Sequence, residues 1–189
     1  VSGAQPLTNS LLFYTNFSNI NNTQYSWNRS LPLDRDMFIS EDLALYFGYG
    51  SEGRDIETKN PNLTFDIAEV PQGANTTNKR TYGNFYGLFI PKASKNKNGA
   101  LIVAKTLSNV THSKKIADWY NLSPVLRQLV SVGSNDVYGR VIYNSAPNAR
   151  GWLNPDRDKF DSVFSKTIDD ISSNRRDVAN STSDTIVRL

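Results

Sequence analysis

Three short apolar runs constrain this chain most: Leu43–Phe47, Leu63–Val70 and Tyr82–Ile90. Each meets a breaker, at Gly48-Tyr49-Gly50, at Pro71 and at Pro91. Runs of this length, bounded by glycine or proline, predict strands. The first is continuously apolar, as in a strand covered on both faces. The second alternates Leu63, Phe65 and Ile67 with Thr64 and Asp66, which predicts one buried face.

Helical spacing governs most of the remainder. Leu11, Leu12, Phe13 and Phe17 predict a helix over 7–17, with Thr8 or Asn9 as cap. A short amphipathic segment opens near Asp36. Helices are predicted over 51–59, closed by Asn60-Pro61, and over 99–107, 113–120, 124–130, 134–143 and 158–172. Trp119 and Tyr120, on the second of the helices after Gly99, are expected in the core. The 71–80 segment is a polar loop, 144–155 is irregular, and the polar tail from Asn174 receives no element. The reading is few strands and many helices.

Composition removes several kinds of chemistry. The chain has 189 residues, enough for one domain with a core, and its net charge of +3 is small. The basic stretch Lys92–Lys105 is diluted by Asn, Ser and Gly, so no nucleic-acid partner is expected. With no cysteine, thiolate sites and disulfides are out. The single histidine, His112, sits at a predicted helix start and reads as a solvated or capping residue. Asp34, Asp36, Glu41, Asp42, Asp169 and Asp170 read as solvated or capping charges, not as a glycosidase pair. No calcium loop and no phosphate loop is present. The expectation is a non-enzyme with no cofactor and no metal. Nothing reads as a membrane span, and the first residues do not read as a signal peptide.

Four blocks occur in order. The first is Tyr25-Ser26-Trp27-Asn28, leading to Phe38, Ala44-Leu45 and Phe47-Gly48. The second runs from Phe65 to Gln72. The third runs from Thr81 to Leu88 and on to Ser94-Lys95-Asn96 and a helix. The fourth is Ala149-Arg150-Gly151-Trp152 before a long helix. In this order the chain resembles the C-terminal half of the extracellular (family 1) sugar-binding proteins of ABC importers, which are maltose-binding-protein-like.

The resemblance implies an α/β chain, the C-terminal portion of a periplasmic-binding-protein type II fold. It implies that 33–71 and about 110–189 belong mostly to the C-terminal lobe, and that 82–108 returns to an N-terminal lobe. It implies carbohydrate binding by hinge closure of two lobes, outside the cell or in the periplasm. The partners implied are a sugar or oligosaccharide and an importer permease, with the membrane reached only through that permease or a lipid anchor outside these residues. A non-transport surface interaction module that keeps the fold is the alternative.

Sugars offer apolar C–H faces and a rim of hydroxyls, so aromatic rings beside Asn, Ser and Arg are the side chains to look for. Trp152, flanked by Arg150 and irregular chain, is the first candidate. Tyr49, between glycines at a predicted strand exit, is the second, with Ser51 as a donor. Trp27, with Tyr25 and Asn28, is the third, and Tyr82 and Asn84 line the site from the third apolar run. Each has a bland counterpart: Trp152 and Trp27 as core rings, and Tyr49 as part of a turn.

Overall fold

A computed structural model describes residues 4–151, 154 and 156–189. The chain divides into two compact units. A terminal unit joins the segment ending at Pro32 to the segment ending at Leu189, and a central unit spans Leu33–Gly151.

The terminal unit packs three helices: α1 (Ala4–Asn16), α8 (Arg157–Ser172) and α9 (Val178–Arg188). α1 buries Leu11 and Thr15, α8 buries Thr167 and Ile171, and α9 buries Ser181, Thr182 and Thr185. These sit three or four residues apart, so each helix turns one face inward. The faces are short-chained and hydroxylated, which lets backbones approach closely. The hydroxyls of Thr15, Thr167, Thr182 and Thr185 each lie 2.7–2.8 Å from the carbonyl oxygen four residues back. Thr8 meets Thr182 at 3.2 Å, and Thr167 meets Thr185 at 2.6 Å. At the Thr167–Thr185 crossing two hydroxyl protons serve three contacts, so one threonine turns from its own helix to the other.

α9 occupies the tail that the sequence reading left without an element. Asp177 caps it by accepting from the Asn180 N–H at 2.9 Å. That backbone bond is the main cause holding the Asp177 carboxyl below its usual range.

The central unit contains α2 (Asp34–Ile39), a 3-10 turn (Gly50–Glu52) running into α3 (Gly53–Lys59), α4 (Lys97–Leu107), α5 (Val110–Trp119), α6 (Arg127–Val130) and α7 (Val137–Ser145). A second 3-10 turn (Ala146–Asn148) leads into β2 (Ala149–Arg150), which pairs in parallel with β1 (Thr81–Tyr82). Asp136 caps α7 through the Gly139 N–H and forms an ion pair with Arg54 at 3.0 Å. α7 then sits on the Gly50–Lys59 segment. A Cβ on Gly53 would lie 3.1 Å from the Tyr138 ring, and one on Gly50 would lie 2.5 Å from Ile142, so both glycines answer to close packing.

The expected α/β architecture is corrected here. Among the described residues helix accounts for 51%, the strands are two residues each, and no type II sheet forms. A strand needs a neighbour for its N–H and C=O groups. Among the described residues, only Thr81–Gly83 finds one, against Ala149–Arg150. The other apolar segments are held by rings instead. Phe38 packs on Tyr46 (5.7 Å between centroids) and on Phe65 (5.6 Å), and Phe65 stacks on Tyr138 (5.8 Å). Leu63, Phe65 and Ile67 are half-buried while Thr64 and Asp66 are exposed, so the two-residue period survives without a ladder. Trp119 is a second correction: it is 84% exposed and stacks on Tyr120, outside any core.

The threonine crossing yields a prediction. Thr185→Val lowers the unfolding free energy by about 1–2 kcal/mol, because a buried hydroxyl of Thr167 loses a partner. The pair Thr167→Val with Thr185→Val costs less than the sum of the two single changes. Urea denaturation of the four proteins checks this, and strict additivity contradicts it.

Candidate functional site

The central unit carries a broad, open basin of about 2100 Å³. It is larger than the several hundred cubic ångströms that enclose a small ligand. At one corner of it, chain segments far apart in sequence meet.

Tyr49, Ser51, Tyr82 and Asn84 line this basin. The Tyr49 and Tyr82 rings lie 6.4 Å apart and inclined at 49°. Asn84 bridges them: its Nδ2 donates to the Tyr49 hydroxyl at 2.8 Å, and its Oδ1 accepts from the Tyr82 hydroxyl at 3.1 Å. Both bonds orient the amide, and both tyrosines remain exposed, at 43% for Tyr49 and 59% for Tyr82. Two rings linked by an amide offer apolar faces and a polar edge together, which is what stacking on a saccharide requires.

Each ring is placed by the backbone behind it. Glu52 Oε2 accepts from the Tyr49 N–H at 3.0 Å and from the Tyr46 hydroxyl at 2.9 Å. Burial, then this bond to Glu52, pushes the Tyr46 phenol up to about 12. Sequence reasoning missed Tyr46 and Glu52. The signal was present, since an acid three residues after a helix-entry residue commonly reaches back to its N–H. On the other side, Tyr82 is held in register with Arg150 by the short ladder. Asn84 follows two residues later.

Arg150 therefore joins the site through its backbone. Its guanidinium donates to the carbonyls of Pro147 (3.1 Å) and Ala149 (2.7 Å), which turns it onto its own chain. Trp152 lies outside the described residues. Trp27, Tyr25 and Asn28 belong to the terminal unit, where Trp27 packs 5.9 Å from Tyr14 and Asn28 donates to the Tyr25 hydroxyl at 2.8 Å. The central cluster thus gathers five of the nine expected residues, from segments about 30 and 70 positions apart. His112 lies in the first turn of α5, exposed, with its Nδ1 3.0 Å from Asn109 Oδ1. Asp169 pairs with Arg29, and Asp170 with Arg175 and Lys166, so these acids are engaged in ion pairs.

Comparison with known protein families, with curated proteins and with solved structures gives no match to this chain.

Tyr138 resembles Tyr46 in its titration. Burial and a hydrogen bond to Glu57 push its phenol up to about 12. A phenol whose folded value lies above the unfolded value of about 10 holds its proton more tightly in the folded state. Its contribution is complete below pH 10 and is lost as pH rises from 10 to 12. Unfolding free energy is therefore predicted to fall across that window, and less steeply in Tyr46→Phe/Tyr138→Phe. Equal slopes in both proteins contradict the assignment.

Proposed function

We propose that this chain is the ligand-binding part of an extracellular solute-binding protein, which takes a sugar or oligosaccharide and delivers it to the permease of an ABC importer. The observation that carries the reading is the Tyr49–Asn84–Tyr82 bridge, with Ser51 and the Arg150 backbone beside it. The ordered blocks that include these residues support it from the sequence side. The hinge closure implied by the resemblance depends on the type II fold and is not part of the proposal.

The chemistry follows from the geometry. A sugar ring lies against the Tyr82 face, its axial C–H groups toward the ring. Its hydroxyls meet the Tyr82 oxygen, which keeps lone pairs after donating to Asn84, together with the Ser51 hydroxyl. Asn84 acts on both sides: it holds the rings at their mutual angle and presents its own amide edge. Nothing in this arrangement supplies a nucleophile or a paired acid and base, so the role proposed is binding.

A second reading, a surface interaction module, is favoured by one observation: the row from Phe85 to Ile90 stands largely exposed beside the site.

Titration of the full chain with mono- and oligosaccharides, followed by tryptophan fluorescence and calorimetry, tests the first reading. A saturable response is expected. Tyr82→Ala is predicted to weaken it roughly tenfold, through lost stacking and a lost hydroxyl, and Tyr49→Phe roughly fivefold. Binding that is unchanged in Tyr82→Ala, or absent with every sugar, overturns it.

A further inference from the structure

The charge of the chain is unevenly distributed. From Val70 to Ala117, forty-eight residues contain no aspartate or glutamate. The same stretch holds eight cations: Lys79, Arg80, Lys92, Lys95, Lys97, Lys105, Lys114 and Lys115. Every carboxylate side chain lies elsewhere. Lys114 pairs with Asp118 at 2.8 Å. The other seven make no ion pair among the described residues.

The middle of this stretch is apolar and exposed. Phe85 is 66% exposed, Tyr86 86%, Leu88 59% and Phe89 90%. Lys79 and Arg80 precede this row, and Lys92, Lys95 and Lys97 follow it. α4 comes next, with Leu101, Ile102 and Val103 exposed between Lys97 and Lys105. Three large rings alone present several hundred square ångströms, at the upper limit of what a soluble protein leaves uncovered.

We propose that the segment 79–105 docks on an anionic bilayer, with the Phe85–Ile90 row entering the boundary between headgroups and acyl chains and the flanking cations meeting lipid phosphates. Charge selects the occupant. Unpaired cations on both sides of the apolar row call for a dense anionic surface, and a second copy of this chain would bring the same positive charge against itself. Side-chain chemistry then selects lipid over an anionic polymer. Apart from the Tyr86 hydroxyl, which can stay at headgroup level, the row offers no polar side-chain atom to a sugar rim or a base edge, whereas hydrocarbon asks only for apolar area. Long lysine stems lie along the boundary while their ammonium groups stay with the phosphates. This inference does not rest on the saccharide reading: Tyr82 and Asn84 fall within the segment and Phe85, Tyr86 and Leu88 line the same basin, but the lysines and phenylalanines changed below are not the side chains that reading assigns to the sugar.

Co-sedimentation of the full chain with vesicles tests it, using phosphatidylcholine alone and phosphatidylcholine with phosphatidylglycerol in equal parts. Strong partition is expected only on the anionic vesicles at low salt, with a large loss at 0.5 M salt, where screening reaches only a few ångströms. Each cation near such a surface is worth roughly fivefold in partition. The triple change Lys92→Ser/Lys95→Ser/Lys97→Ser should then lower partition about a hundredfold. Phe85→Ser/Phe89→Ser should weaken it at least tenfold, with the salt dependence retained. Circular dichroism verifies that both variants keep the parent's helix content. Equal binding to both vesicle types, no binding to either, or unchanged partition in the lysine variant overturns the proposal. So does binding to an acidic polysaccharide without binding to vesicles, which would assign the surface to a polymer. Self-association in place of vesicle binding would assign it to a second copy and also overturns it.

Discussion

The seating of α7 on the Gly50–Lys59 segment is the constraint on which the central unit depends. Tyr138 lies over Gly53, stacks on Phe65 and donates to Glu57, while Ile142 lies over Gly50. One helix thereby fixes both sides of the candidate site. At its near side it holds the turn that begins beside Tyr49. At its C-terminal end it feeds the 3-10 turn and β2, whose two residues place Tyr82, with Asn84 two residues beyond. A shift of α7 by a fraction of a turn would separate the two tyrosines even if every residue of the cluster were kept.

This architecture relies on aromatic contacts where a sheet would rely on ladder hydrogen bonds. Tyr46, Phe38, Phe65 and Tyr138 form a continuous line of rings, and the extended segments that carry Tyr46 and Phe65 hang from it. Ring contacts of this kind add about 0.5–1.5 kcal/mol each beyond area burial. They set position without satisfying backbone groups. The result is a basin with open walls, and the site within it is defined by three side chains rather than by enclosure.

The helices were the most legible part of the sequence. The 3.6-residue period located α1, α4, α7 and α8 to within a few residues, and α3 and α5 lie close to the helices expected over 51–59 and 113–120. α9 was missed because its inward face is Ser181, Thr182 and Thr185, which read as polar although they are buried. The three apolar runs were legible as extended chain, and Leu63, Phe65 and Ile67 do turn inward together. What the runs could not reveal is pairing, because pairing depends on a neighbour and not on the run itself. The α/β expectation came from the resemblance, and reading the runs as strands agreed with it, whereas the described residues are mostly helical with only two short strands. The residue types of the candidate site were legible: Tyr49, Ser51, Tyr82 and Asn84 were named from rings and polar groups near chain breaks, and all four line one basin. Their meeting was not, since no local pattern encodes the Asn84 bridge. Trp119 was misjudged because α5 does bury one face, at Ser113 and Ala117, while Trp119 falls on its exposed side.

The most direct test of the Tyr49–Asn84–Tyr82 arrangement is a nuclear Overhauser measurement between the aromatic protons of Tyr49 and Tyr82 in the unliganded full chain. Rings whose centroids lie 6.4 Å apart should give a clear cross-peak. It should persist in Ser51→Ala and vanish in Tyr138→Ala, where α7 loses its seat. Absence of the cross-peak in the parent protein, or its survival in Tyr138→Ala, would contradict the dependence of the site on α7.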